Sequence, residues 1–301
     1  MRVTNKQMLN LVTRNVSVSS NKLLKAQERL STLKVVNRPS DDPISMRGIL
    51  DYRKRIASID QYVRNIASAK TRVEVTESNL EKLHELLNTA KDIAKGSLGE
   101  DEFGRHMAAE QVGNLYDQIR DIGNARLGGS YIFAGHATDT LPFTKDEVTG
   151  EVTYNGDDGE QHTILGEGMT LRINAHGDEV FTGDGVDDGE NIFDALKDLK
   201  DELESPVSDT GAIQDLIGRF NKGITQVERV LSQQSAAYKR LDQTEDYWNY
   251  LKFKFENVLS NTEGADEAQV TVELKAQETA YEMALASATN VLQRNLLDFL
   301  R

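Results

Sequence analysis

Asn37-Arg38-Pro39-Ser40-Asp41-Asp42-Pro43 is a helix stop followed at once by a helix start. Pro39 and Pro43 each lack a backbone N–H, and each pushes the residue before it out of helical geometry. Asp42 has the short acidic side chain of an N-cap. Pro43 then falls on the first helical position, where its missing donor costs nothing. The segment therefore predicts one helix ending before it and a second beginning at residue 43.

Upstream, residues 5–34 carry an apolar stripe at alternating spacings of three and four: Leu9, Val12, Val16, Ser19, Leu23, Ala26, Leu30 and Leu33. At the far end of the chain, over about 266–298, the same spacing picks out Leu274, Glu278, Tyr281, Leu285, Ala288, Leu292, Asn295 and Phe299, with Leu296 beside them. A stripe of this kind on a lone helix stays in contact with water, so each end needs a partner. They can meet each other, a neighbouring molecule, or both. Ser19, Glu278 and Asn295 interrupt the stripes, as residues that specify register do.

Downstream of the break, Ile49, Tyr52, Ile56, Ile59, Val63, Ile66, Val73, Leu80, Leu83 and Leu87 predict one helix over about 43–95. At 1.5 Å per residue it would span roughly 75–80 Å. Gly96 and Gly99 end it, and a third helix over 102–127 should fold back antiparallel. Residues 128–190 then hold 12 of the 22 glycines, with short alternating runs at Glu151–Tyr154, His162–Leu165 and Thr170–Asn174. That is strand-and-hairpin chemistry. A short helix over 191–204 should cover the sheet, and helix returns over about 211–260. The expected fold is mainly α with a β-rich insertion. It is an elongated antiparallel helical rod, with the terminal helices outermost and a small β domain at the tip.

Composition narrows the function. Cysteine is absent, so neither a disulfide framework nor a thiolate metal site can form. No run approaches the ~18 apolar residues of a membrane span. The N-terminus lacks the apolar core of a secretory signal, so the chain is expected either to stay in the cytoplasm or to leave by a route without a cleaved signal. Net charge is −14, yet residues 1–72 carry +10, with 15 Lys/Arg against 5 Asp/Glu. This split fits electrostatic matching between molecules or solvated helix faces. A nucleic-acid or membrane-surface binder is the reading from another class, but no basic patch interleaved with aromatics supports it.

Catalytic constellations are absent. His84-Glu85 opens like a zinc motif, but position 88 is Asn. No phosphate-binding loop and no nucleophile elbow occurs. The loop Asp184–Glu190 fails a calcium pattern because Val186 stands where an oxygen ligand is required. Asp157 and Asp158 form an acidic pair without a visible pocket. No catalytic residue, cofactor or metal is expected; the expectation is a structural part rather than an enzyme.

The residues Asn37, Arg38, Pro39, Ser40, Asp41, Asp42 and Pro43, placed after an amphipathic first helix, resemble the N-terminal signature of the hook–filament junction type of the flagellin superfamily. Asn124-Ala-Arg-Leu-Gly-Gly-Ser-Tyr-Ile-Phe-Ala-Gly135 is similar to that family's exit from helix into its variable domain. Thr140-Leu-Pro-Phe143 follows as expected, and Asn295-Leu-Leu-Asp-Phe-Leu300 resembles its C-terminal tail. The family often has Gly just before the Asn-Arg-Pro segment. Here Leu33-Lys34-Val35-Val36 stands instead, which would let the first helix run longer.

The resemblance implies an adaptor of the bacterial flagellum, exported by the type III route, extracellular, self-assembling as a ring in a tube. Its partners would be a neighbouring hook-associated junction protein, flagellin, and an export chaperone on the C-terminal region. It also implies terminal segments, 1–40 and 263–301, that are disordered in the monomer and form a coiled coil on assembly. A helical rod domain (41–127 and 206–262) and a β-rich variable domain (128–205) lie between them. The expected assembly interface is Leu9, Val12, Val16, Leu23, Leu30, Leu33, Tyr281, Leu285, Leu292, Leu296 and Phe299. Filament flagellin itself is the alternative within the same class.

Overall fold

The computed structural model describes residues 2–146, 149–206 and 209–299, without the side chains of 2–5, 292 and 294–299. Six α-helices are described, α1 Arg2–Thr32, α2 Pro43–Gly96, α3 Glu102–Gly123, α4 Ile192–Glu204, α5 Thr210–Glu263 and α6 Glu267–Phe299, with a short π-helix at Asp178–Thr182. Six short strands lie between α3 and α4: β1 Arg126–Leu127, β2 Ser130–Tyr131, β3 Phe143–Lys145, β4 Val152–Tyr154, β5 His162–Gly166 and β6 Met169–Arg172. The chain is mainly α with a β-rich insertion, as its periodicities predict. It forms two compact units, residues 1–58 with 251–301, and residues 59–250.

In the second unit α2 and α5 run antiparallel. Lys70 pairs with Asp242 at 2.7 Å and with Glu245 at 3.1 Å. Further along the same pair of helices, Ser235 donates to Glu77 at 2.5 Å and His84 meets Glu228 at 3.1 Å. Between these polar flanks lies the core. Leu80, Leu83 and Leu87 of α2, Val112 and Ile119 of α3, Leu196 and Leu199 of α4, and Phe220 and Val227 of α5 are buried in one cluster. Asp101 caps α3 by accepting from the Gly104 N–H at 2.8 Å, and Asn191 caps α4 by accepting from Phe193 and Asp194.

The insertion is not one sheet. Among the described residues it is three separate antiparallel hairpins, β1–β2, β3–β4 and β5–β6. Two-residue and three-residue strands have little ladder of their own, so side chains hold the hairpins to the helices. Phe143 is the main peg. Fully buried, its ring lies 4.9 Å from Phe181, 5.1 Å from Tyr154 and 5.3 Å from Phe193. The β5–β6 hairpin is held separately: Trp248 of α5 donates its indole N–H to the Leu165 carbonyl at 2.6 Å, and Asn65 of α2 donates to the Ile164 carbonyl at 3.2 Å.

The end of the third helix differs from expectation. The third helix stops at Gly123, not 127. Asn124 donates to the Phe143 carbonyl and accepts from the Phe143 N–H, both at 2.9 Å. This two-bond pairing turns the chain into β1. Gly123 makes room for the peg, since a Cβ there would lie 2.5 Å from the Phe143 ring. Phe143→Ala should therefore cost about 3–5 kcal/mol. It should lower the urea midpoint of the second unit, read from Trp248 fluorescence.

Candidate assembly interface

In the first unit α1 and α6 pack along one another. They are antiparallel: Arg29 near the end of α1 pairs with Glu273 near the start of α6 at 3.4 Å. The contact is narrow. Among the described side chains of the pair, only Ala26, Val270 and Ala288 are buried. Leu9, Val12, Val16, Ser19, Leu23 and Leu30 are half-buried, as are Leu274, Glu278 and Tyr281. The two stripes thus face each other over most of their described length. Leu33 and Leu285 stand out from it, 45% and 40% exposed. The side chains of Leu292, Leu296 and Phe299 lie outside those the structure describes.

Beside the stripe a second set of apolar side chains faces outward. Met8, Leu11 and Val18 of α1 and Val272 and Met283 of α6 are exposed, Leu11 by 60%. Positions 8, 11 and 18 fall within about 80° of one another at 100° per residue, so they make a ridge along α1 rather than scattered sites. Ile44 and Leu50 on α2, and Phe253 and Val258 on α5, are exposed in the same unit.

The helix-break motif folds as its residues dictate. Asp42 accepts from the N–H groups of Ile44 and Ser45 at 3.0 and 3.1 Å and from the Ser45 hydroxyl at 2.6 Å. Those bonds hold its carboxyl below the usual Asp value, the hydroxyl bond first. Asp41 is likewise held low, chiefly by Lys25 at 3.1 Å, and it accepts from the Arg38 N–H at 3.1 Å. Arg38 reaches back to Glu28 at 3.0 Å. Asn37 donates to the Lys34 carbonyl at 3.3 Å. Pro39 and Ser40 are exposed at the bend.

The first helix does not run on toward the motif; it ends at Thr32. Leu33 supplies the left-handed turn that Gly usually makes, with φ of 51°, at roughly 1–2 kcal/mol for a residue bearing a Cβ. The turn lets the chain form an antiparallel bridge, Lys34 opposite Gly264. Val35 N–H donates to the Glu263 carbonyl at 2.8 Å, and Ala265 N–H donates to the Leu33 carbonyl at 2.9 Å. Gly264 is required here, because a Cβ would lie 2.4 Å from the Ser260 carbonyl oxygen. Glu263 closes the bridge: its carboxylate takes Lys34 at 2.8 Å and the Arg53 guanidinium. No residue spacing announces this contact.

Among the described residues no group of His, Asp and Glu could hold a metal ion. Among the described residues no helix is long and apolar enough to cross a membrane.

The bacterial flagellin N-terminal helical region matches residues 3–138. Flagellar hook-associated protein 3 of Salmonella typhimurium is 27% identical over 242 residues, 74% of each chain. The chain is similar to that protein over most of its length. A flagellin of Halalkalibacterium halodurans is 22% identical over 87% of this chain and 93% of its own. Among solved structures, a flagellar hook-associated protein of Vibrio parahaemolyticus superposes with a TM-score of 0.68 at 21% identity, covering 74% of this chain and all of that one. The flagellar junction protein of Legionella pneumophila gives 0.61 at 15%, covering 73% and all of it. At such identities the structures speak for the fold alone, and this chain shares the fold of those two proteins. The region matched to flagellin contains the helix break, its Asp42 cap and the Asn124 exit.

Charge at the bridge makes the first unit acid-sensitive. Burial pushes the Glu263 carboxyl up, and the hydrogen bonds from Lys34 and Arg53 outweigh it, leaving Glu263 below its ordinary value of 4.5. Asp41 and Asp42 are also depressed, below 3.8. A depressed carboxyl stabilises the fold above its unfolded pKa, and that contribution is lost as pH falls through the folded value. Acidification below about pH 4.5 should therefore loosen the bridge. NMR shifts of the Val35 and Ala265 amides should move toward disordered values as pH falls from 5 to 2.

Proposed function

We propose that the chain is a structural adaptor of the bacterial flagellum, joining hook to filament. It assembles with copies of itself through its terminal helices and presents a template for flagellin addition. One observation carries the assembly part: the α1–α6 pair buries mainly small side chains and leaves the Met8, Leu11 and Val18 ridge in water. An exposed apolar ridge bordering a half-buried seam is a surface for further helices. Kinship with flagellar hook-associated protein 3 supports the junction role.

The parts follow from that role. Residues 1–40 and 263–301 are the assembly segments, loosely held in the free chain and ordered by neighbours. Ordering on assembly costs conformational entropy, which restrains premature polymerisation. The helical parts 41–127 and 206–262 carry the β-rich insertion 128–205. Partners are other copies in a ring, a neighbouring hook-associated junction protein, flagellin, and an export chaperone on the C-terminal region. The chain acts outside the cell as an exported part, with no enzymatic activity, no nucleic acid and no membrane insertion. A flagellin role is the second reading, favoured by the match to a flagellin over most of both chains. A single ring of copies at the filament base fits the adaptor, and thousands along the filament would replace it with flagellin.

Leu11→Asp tests the surface directly. Leu11 is exposed, so the monomer's stability should change by no more than about 0.5 kcal/mol, while filament attachment in cells is lost. Deleting 1–35 or 266–301 should likewise abolish attachment and leave the 59–250 unit folded. Normal filaments on either deletion would overturn the adaptor reading. Limited proteolysis of the free chain should trim both ends quickly and leave a resistant core of about 40–265.

A further inference from the structure

We propose that copies of this chain meet head to tail, the first turns of α2 in one copy seating on the first turns of α3 in the next. The contact lies apart from the α1 ridge. It rests on the self-assembly proposed above only in that copies come together.

The start of α2 is apolar and basic. Ile44 is 86% exposed, and Leu50 is exposed as well. At 100° per residue the two bound an arc of about 120°, and Arg47 and Lys54 fall between them. Neither cation has an ion-pair partner among the described residues. Asp51 lies on the same arc, but Arg55 takes it at 2.7 Å. The bonds from the Ile44 and Ser45 amides to Asp42 fix this turn.

The start of α3 is its opposite in charge. Phe103 is 72% exposed and Met107 48%. Four residues apart, they are neighbours on one helix face. Glu110 falls on that face too, and Glu100 and Glu102 flank it, all three exposed. None of these carboxylates meets a cation among the described residues. Arg105 does not neutralise the face, because it turns inward to the carbonyls of Glu100, Ser205 and Pro206. The bond from the Gly104 amide to Asp101 fixes this turn in the same way.

Exposed apolar side chains rimmed by charge mark an interaction site, and these two patches suit each other better than themselves. Two α2 starts would set Arg47 and Lys54 against the same cations. Two α3 starts would set carboxylate against carboxylate, and like charges across an interface oppose association. A two-fold contact centred on either patch is therefore unfavourable. Unlike patches leave each copy with one of either kind to offer, as a closing ring requires. The polarity also holds for the two units. Residues 1–58 with 251–301 carry +5, from 17 Lys/Arg against 12 Asp/Glu, and residues 59–250 carry −19, from 18 against 37.

The chain has no cysteine, so single introduced thiols report the contact. Full-length Ile44→Cys and Phe103→Cys are mixed and oxidised in air. The mixed disulfide dimer should exceed either homodimer by about tenfold or more. A mixed yield no greater than the homodimers overturns the contact. So does stronger pairing of Phe103→Cys with Leu11→Cys than with Ile44→Cys, which would seat the α1 ridge on the acidic patch. Charge exchange gives a second measurement by sedimentation. Arg47→Glu with Lys54→Glu, and separately Glu102→Lys with Glu110→Lys, should each weaken self-association about tenfold. All four side chains are exposed, so circular dichroism should stay that of wild type. An equal mixture of the two variants should regain wild-type association, which a contact within one chain cannot do. A mixture no stronger than its components overturns the proposal. Leu11→Asp judges the adaptor surface separately: normal filament attachment there overturns the α1 ridge, while the mixed disulfide still forms.

Discussion

The bridge of Lys34 and Gly264 supplies what the apolar stripes cannot. Hydrophobic contact is non-directional, and two helices with repeating stripes can slide by a turn at little cost. Two backbone hydrogen bonds at one end of the α1–α6 pair remove that freedom, because each bond names a single partner. Every later contact in the pair, including Arg29 with Glu273, follows from the register they set. The stripe then needs only modest complementarity, which explains how Ser19 and Glu278 are tolerated along it.

The uneven charge of the chain reads differently once its partners are in place. Among the described residues, four of the fifteen Lys/Arg of the first 72 residues are matched by acids of α5 and α6. Arg29 meets Glu273, Lys34 and Arg53 share Glu263, and Lys70 is held between Asp242 and Glu245. The acids come from α5 and α6, so the excess of one sign in each stretch reflects which helix lies beside which. A basic face reserved for nucleic acid would keep its arginines and lysines unengaged.

Fold class and helix positions were legible in the sequence because they rest on local chemistry. Pro39, Pro43 and Asp42 act within a few residues of themselves, and the break falls where they put it. Apolar periodicity located α2 and α5 for the same reason. What escaped was long-range. Ala125, Arg126 and Leu127 carry no local reason to leave a helix; Asn124 ends it by bonding to a residue 19 positions on. Leu33 bears no mark of a left-handed turn, and Glu263 resembles any other glutamate near a helix end. Gly264 offered a signal, since a lone glycine between two helical stripes marks a close backbone approach, though it does not say to what. The stripe residues were legible as a set. Which of them face a partner helix was not: on the same stripe Tyr281 is half-buried and Leu285 exposed.

The Asn124–Phe143 pairing has a further consequence for how such a chain can change. Because two hydrogen bonds and a buried ring fix both ends of the stretch 125–142, chain added at its exposed turn, Asp139–Leu141, leaves α3 and β3 in place. Loop closure entropy grows only with the logarithm of length, about 0.6 kcal/mol for each doubling. That turn can therefore lengthen or shorten while the buried Ile132–Ala134 and the helical frame keep their places. The clamp separates a mechanical frame from a surface turn that can vary in length.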